Sequence, residues 1–417
     1  MRPSSALILA MLATSIASTL AGWPMWPAAL LSWLATLRLA RQLPRASRHQ
    51  VLWLGGAGAL IWLVALIRHT PYAPIQALTI NQALLMMFAG VSFLSMATPA
   101  RPDGERPRNG SLWGTLFGVH LFGAVINLSA LFLFADRMQR DGKLSRRQAM
   151  VLGRAFPAAA AWSPFFVAMG VALTYAPGLE FTALLPWGVA CASLLLSLVA
   201  LDALRIEGPF VGYPLNAGAL ILPGVLAVTV MAMHAWRPEM SIPLIISIVS
   251  PIAALLLAPR GERRARLRQQ LDHGLSRLVP QFALFLAAGV LSSGLSALLA
   301  SFPAGLSLPV ADYGHWQAWL SLGIIVMVAF VGVHPLVSVT TLAPLLATLD
   351  PDPTLLGMVF LMGWALGTGS SPLSGSNLVL CARYGVNARE MLGWNLPYAV
   401  LGWLACGLVF AAHAQWT

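Results

Sequence analysis

The feature that most constrains this chain is its series of apolar runs, many close to or above the ~18 residues that mark a membrane-spanning helix. They are divided by short loops that hold most of the charge. Charged residues make up 9% of the 417 positions and hydrophobic residues 58%, against ~25% charged in an ordinary soluble domain. An outer-membrane barrel would instead show short segments of alternating polarity. The expected fold is therefore an all-α polytopic membrane protein.

The net charge of +11 includes a single lysine, Lys143. The basic residues cluster between apolar runs, as cytoplasmic loops do, so nucleic acid is not an expected partner and the lipid bilayer is. Cys191, Cys381 and Cys406 lie in apolar runs without metal-ligand spacing and read as buried hydrophobes. Gly55-Gly56-Ala57-Gly58 reads as close helix packing. The alanine- and arginine-rich, lysine-poor usage points to a bacterial inner membrane.

Two basic loops, 38–50 and 259–277, anchor the topology in the cytoplasm, and the loop 101–110 then falls inside as well. The run 112–135 should next cross outward. It is followed by DRMQRDGKLSRR, with five basic residues, which would place positive charge outside. A re-entrant hairpin over 112–135 on the cytoplasmic side removes the conflict. The run 316–349 would extend roughly 50 Å as one helix, against about 30 Å of hydrocarbon. It contains His334-Pro335, and its flanks carry acids but no Arg or Lys, so it reads as a hairpin entering from outside. The count becomes about eleven spans and two hairpins, with the N-terminus inside and the C-terminus outside.

The halves repeat each other. Gly118-Val119-His120 matches Gly332-Val333-His334, Ser163-Pro164 matches Ser371-Pro372, Gly178 matches Gly385, and Trp187 matches Trp394. The order is constant and the offset nearly so. The organisation predicted is a first transmembrane helix (1–23), repeat one (24–201) with hairpin 112–135 and broken helix 149–176, a cytoplasmic linker (202–216), and repeat two (217–413) with hairpin 316–349 and broken helix 354–383. The first spans of the two repeats run in opposite directions, so the repeats are inverted, an arrangement that marks secondary transporters.

This architecture resembles the ion transporter superfamily and is closest in topology to the divalent-anion/sodium symporters. The hairpin tips read GAVINLSAL and LVSVTTLAP, where that family carries Ser-Asn-Thr. The resemblance implies an elevator mechanism and a homodimer.

Each broken run exceeds the length needed to cross and has its proline near mid-membrane. Proline removes a backbone donor and frees carbonyls, which hydrocarbon cannot satisfy. The breaks should therefore face a polar cavity whose helix N-termini suit an anion. The expected binding residues are Asn127, Ser129, Ser163, Pro164, Ser338, Thr340, Thr341, Thr368, Gly369, Ser370, Ser371, Pro372, Ser374, Ser376 and Asn377. A coupling sodium ion is expected near Asn127, Ser163, Thr341 and Ser371, and no other cofactor is expected. Acids sit in loops or at span ends, which favours an anion held by dipoles and hydroxyls.

His120 and His334 read either as packing histidines or as proton-coupling groups. Arg154 either snorkels to the cytoplasmic face or draws anions inward. The expected function is secondary active transport of a small carboxylate or oxyanion by alternating access, with a coupling cation. The alternatives are a sodium/proton antiporter or arsenite-type efflux protein on the same scaffold, and, behind these, an intramembrane enzyme. The leading reading involves no enzymatic chemistry.

Overall fold

A backbone in hydrocarbon must satisfy its own N–H and C=O groups, and helices do so locally. The computed structural model describes residues 2–97, 108–109, 111–213, 221–302, 310 and 312–416. Most of the loop 101–110 and the start of the span expected from residue 217 lie outside the described residues. In chain order the first helices are α1 (Pro3–Ala21), α2 (Trp26–Leu39), α3 (Arg45–Ile67), α4 (Ile75–Thr79) and α5 (Gln82–Ser92). Next come α6 (Leu112–Ile126), α7 (Leu128–Met138), α8 (Arg146–Ala158), α9 (Val167–Tyr175) and α10 (Phe181–Arg205). They are followed by α11 (Ile221–Trp236), α12 (Ile242–Leu257), α13 (Arg263–Gln269) and α14 (Val279–Ala300). The last are α15 (His315–Phe330), α16 (Pro335–Leu346), α17 (Pro353–Ser370), α18 (Gly375–Tyr384) and α19 (Ala388–Trp416).

Among the described residues, 7 helical stretches are long and apolar enough to cross a membrane, and shorter apolar helices accompany them. The chain is an all-α polytopic membrane protein. The two anchoring basic segments, expected as loops, are largely helical. Arg45 and Arg48 open α3, and helix runs from Arg263 to Ala300 through a π turn and a 3-10 turn. Arginine is a good helix former, so charge alone does not end a helix.

The described chain divides into two compact units. The first holds residues 1–99, 228–312 and 340–350. Within it α3 lies against α14 at Gly58, where a Cβ would stand 2.6 Å from the Leu291 backbone nitrogen. Only glycine permits that approach, and it is the packing expected of the Gly55–Gly58 stretch. Beside this contact the Trp62 indole N–H donates to Ser293 Oγ at 3.0 Å. Elsewhere in the unit Ser32 Oγ donates to Gln82 Oε1 at 3.1 Å, and Gln82 Nε2 donates to Ser15 Oγ at 2.9 Å. Asn81 Nδ2 donates to the Phe285 carbonyl at 2.6 Å. These contacts join helices through polar groups paired away from lipid.

The second unit holds residues 100–227, 313–339 and 351–417. Here α6 and α7 pack against each other, α8 lies beside α17, and α10 lies beside α19. The second expected hairpin differs from the first. Its first arm, α15, packs on α17 and α19, while residues 340–350 of its second arm group with the other unit. The helix is interrupted at Val331–His334, next to the His334-Pro335 pair of the expected hairpin, and what each arm packs on did not follow from its length. Between α15 and α19 the indoles of Trp319 and Trp403 stack with centroids 4.0 Å apart and planes 6° from parallel. Each indole N–H donates to the other residue's carbonyl, at 3.0 and 2.8 Å.

Candidate functional site: two Ser-Pro breaks in one unit

Both Ser-Pro pairs end a helix in the same way, and both lie in the second unit. At the first, the Ser163 N–H donates to the Ala159 carbonyl at 3.0 Å, the last helical bond before Pro164. The chain then turns. The Phe165 N–H donates to Ser163 Oγ at 3.2 Å, and the Phe166 N–H donates to the Ser163 carbonyl at 3.3 Å. At the second, Ser371 N–H donates to Gly367 O at 3.0 Å, Leu373 N–H to Ser371 Oγ at 3.2 Å, and Ser374 N–H to Ser371 O at 3.2 Å. Proline lacks the N–H that a continuing helix would need. The serine hydroxyl and carbonyl collect the next two donors instead.

The surroundings of the first break use up its polar groups. Ser163 Oγ also donates to the Ala124 carbonyl. Asn127 sits between α6 and α7 with φ 51° and ψ −137°, a conformation that favours glycine. Its Nδ2 donates to the Phe165 carbonyl at 3.2 Å, so the hairpin tip is fastened to the break. Ser129, in the first turn of α7, is half-buried. A cavity of about 200 Å³ opens beside the break, walled by Leu121, Val125, Trp162, Pro164, Phe165 and neighbours, and its lining is almost wholly apolar. The polar cavity expected at this break is therefore not what the structure shows. Its hydroxyl and amide face backbone, and its rings face the space.

The second break holds polar capacity in reserve. Its carbonyls are gathered by two buried amides. Asn377 Nδ2 donates to Ser371 O at 2.9 Å and Gly369 O at 3.3 Å, with Thr368 O at 3.4 Å. Asn395 Nδ2 donates to Ser370 O at 2.9 Å and Gly369 O at 3.3 Å. Ser374 caps α18, its Oγ accepting from the Asn377 N–H at 3.4 Å and lying 3.4 Å from Ser376 Oγ. Ser370 Oγ and Asn377 Oδ1 are buried without a protein partner. A buried unpaired oxygen costs about 1–3 kcal/mol, so such groups call for a ligand or water. The turn at Gly332–Pro335 covers this break. Gly332 has φ 90°, and a Cβ there would stand 3.0 Å from the Leu373 side chain.

Ser338 lies in the same unit, buried, its Oγ also without a protein partner. Thr340 and Thr341 belong to the first unit.

Arg154 does not follow either sequence expectation. It neither snorkels nor faces an open cavity. Its side chain is fully buried, with NH1 2.8 Å from Asp202 Oδ2, Nε donating to Asn395 Oδ1 at 2.9 Å, and NH2 donating to the Trp394 carbonyl at 2.6 Å. The guanidinium thus fixes the amide that gathers the carbonyls of the second break. Sequence reasoning missed Asn395 and the role of Asp202. The available signal was an amide in the apolar run 391–413.

Both histidines make local hydrogen bonds. Trp162 Nε1 donates to His120 Nε2 at 3.0 Å, so the imidazole carries its proton on Nδ1 and donates it to the Ala155 carbonyl at 3.0 Å. Both ring nitrogens of His120 are thus hydrogen-bonded within the protein. His334 Nδ1 accepts the Leu336 N–H at 3.2 Å, which caps the start of α16, and its ring meets Trp364 edge-on at 4.9 Å. At the far end of α18, Arg383 pairs with Asp136 of α7 at 3.1 Å, and the Tyr384 hydroxyl donates to the same carboxylate at 2.7 Å.

No protein-family model and no curated protein matches the chain. Among solved structures, the fold is similar to that of the Alcanivorax borkumensis YdaH transporter, whose reported topology is unusual. The TM-score is 0.51 at 14% identity, over 88% of this chain and 98% of that one. At that identity the likeness establishes a shared fold.

Proposed function

We propose that this protein is a secondary active transporter of a small anion, a carboxylate or oxyanion, working by alternating access in a bacterial inner membrane. The observation that carries the proposal is the pair of Ser-Pro breaks with matching hydrogen bonds in one unit, the second with Ser370 Oγ and Asn377 Oδ1 unpartnered. Matching breaks support the reading of two inverted repeats, and discontinuous helices of this kind hold substrate and coupling ions in transporters. The similarity to the YdaH transporter fold supports the same class.

Neutral hydroxyls and amides at the second break, with the Arg154 charge balanced by Asp202, suit an anion whose charge is met by dipoles and a co-transported cation. Sodium is the cation of choice in this reading, held by hydroxyl and carbonyl oxygens of the second break. In the elevator version, the unit carrying both breaks is the moving part, in a homodimer with the N-terminus inside and the C-terminus outside.

The test is uptake of labelled succinate into proteoliposomes, with and without an inward sodium gradient. Saturable, gradient-dependent uptake that falls at least about tenfold in Asn377→Ala is the expected result. Absence of uptake under every sodium gradient removes the symport reading and leaves efflux or sodium/proton exchange on the same scaffold.

A further inference from the structure

At one end of the second unit, away from both breaks in sequence, lies a cavity of about 490 Å³ whose walls include Arg140, Lys143, Arg146, Arg147, Glu207 and Phe210. Arg140 and Lys143 exchange both backbone hydrogen bonds, at 3.0 and 2.9 Å, across a tight turn. Asp141 and Gly142 at its tip have φ 49° and 76°. Residues paired in this way direct their side chains to the same side, and two like charges placed so repel each other.

Arg146 and Arg147 occupy the first turn of α8, the end at which the helix dipole disfavours cations, and no acid accompanies them there. Among the described residues, neither Asp141 nor Glu207 forms an ion pair with any of the four. Arg147 NH1 is held by the Gly208 carbonyl at 2.8 Å, while its buried Nε has no partner. Arg146 lies over the Trp394 ring at 5.0 Å. Four cations and one carboxylate, Glu207, line the hollow, which leaves an excess of positive charge set against the local electrostatics.

The helix leading to this hollow says where the counter-charge comes from. On α10, Leu194, Leu201 and Leu204 are exposed and share a face, spaced seven and three residues apart, and Ile206 and Glu207 of the cavity wall follow directly. An apolar stripe that ends in a basic hollow matches a molecule with an acyl chain and a phosphate.

We propose that this hollow binds the headgroup phosphate of an anionic phospholipid, with the acyl chains lying along the exposed face of α10. Basic pockets at the cytoplasmic ends of transmembrane helices are suited to such headgroups.

The test is native mass spectrometry of the full chain in detergent, titrated with phosphatidylglycerol, phosphatidylcholine and inorganic phosphate. Phosphatidylglycerol should bind at least about tenfold tighter than phosphatidylcholine. Each basic group should contribute about fivefold, so Arg140→Gln with Lys143→Gln should weaken it about 25-fold. The pair Arg41→Gln with Arg45→Gln removes the same charge from the other unit and should leave binding unchanged. Lys143→Gln alone, at an exposed position, keeps the test open if the double variant does not fold. Equal affinity for the two lipids, an unchanged double variant, or full displacement of the lipid by millimolar inorganic phosphate would each overturn the proposal, the last by making the hollow a site for free phosphate.

Discussion

The two Ser-Pro breaks share a turn and differ in what surrounds it. At the first, the Ser163 hydroxyl and the Asn127 side-chain N–H are bonded to backbone, and the adjoining space is lined by rings and aliphatic groups. At the second, two amides organise the carbonyls, a guanidinium organises one of the amides, and two oxygens are left over. A proline fixes where a helix stops, and the neighbours decide whether the stop becomes a joint or a binding place.

The largest expected effect tests the support of the second break. Arg154→Met takes the closer of two arginines from Asp202, leaving Arg205 at 3.6 Å, and releases Asn395, and should destabilise the protein by about 3 kcal/mol, the lower end for breaking a buried pair. Thermal unfolding in detergent measures it, and a loss below about 1 kcal/mol would mean the guanidinium is dispensable. Asn395→Ala follows, at about 2 kcal/mol, because two carbonyls lose a donor and Arg154 Nε loses an acceptor.

The serines themselves sharpen the contrast. Ser163→Ala should cost about 1–2 kcal/mol, since its hydroxyl both donates and accepts. Ser371→Ala should cost about half as much, since its hydroxyl only accepts from Leu373. The reverse order would show that the first break is the looser one. The smallest effect has the opposite sign. Ser370→Ala deletes a buried unpaired hydroxyl and should raise stability by up to about 1 kcal/mol without ligand. The same change should reduce stabilisation by succinate with sodium, measured as a smaller thermal shift. A destabilised Ser370→Ala protein would mean that the hydroxyl already has a partner.

Membrane class and the positions of both breaks were legible in the sequence, because apolar length and proline act locally. The match between Ser163-Pro164 and Ser371-Pro372 was legible too, and it extends to three hydrogen bonds at each site. What was not legible is remote. Arg154 and Asn395 are 241 positions apart, and nothing in either local sequence names the other. The basic segment from Arg263 read as a loop because its charge was taken to end the helix, whereas charged residues at a membrane surface can continue one. Length and His334-Pro335 divided the run 316–349, but the packing of α15 on α17 and α19 depends on helices from later in the chain.

The Trp319–Trp403 pair has an optical consequence. Two indoles held this close and nearly parallel share their excited states, so their transitions couple as one chromophore. That coupling should give a paired circular dichroism band at the strong far-ultraviolet indole transition, whose amplitude falls steeply as the rings separate. The chain therefore carries its own label for the spacing of α15 and α19, readable in solution without attaching a dye.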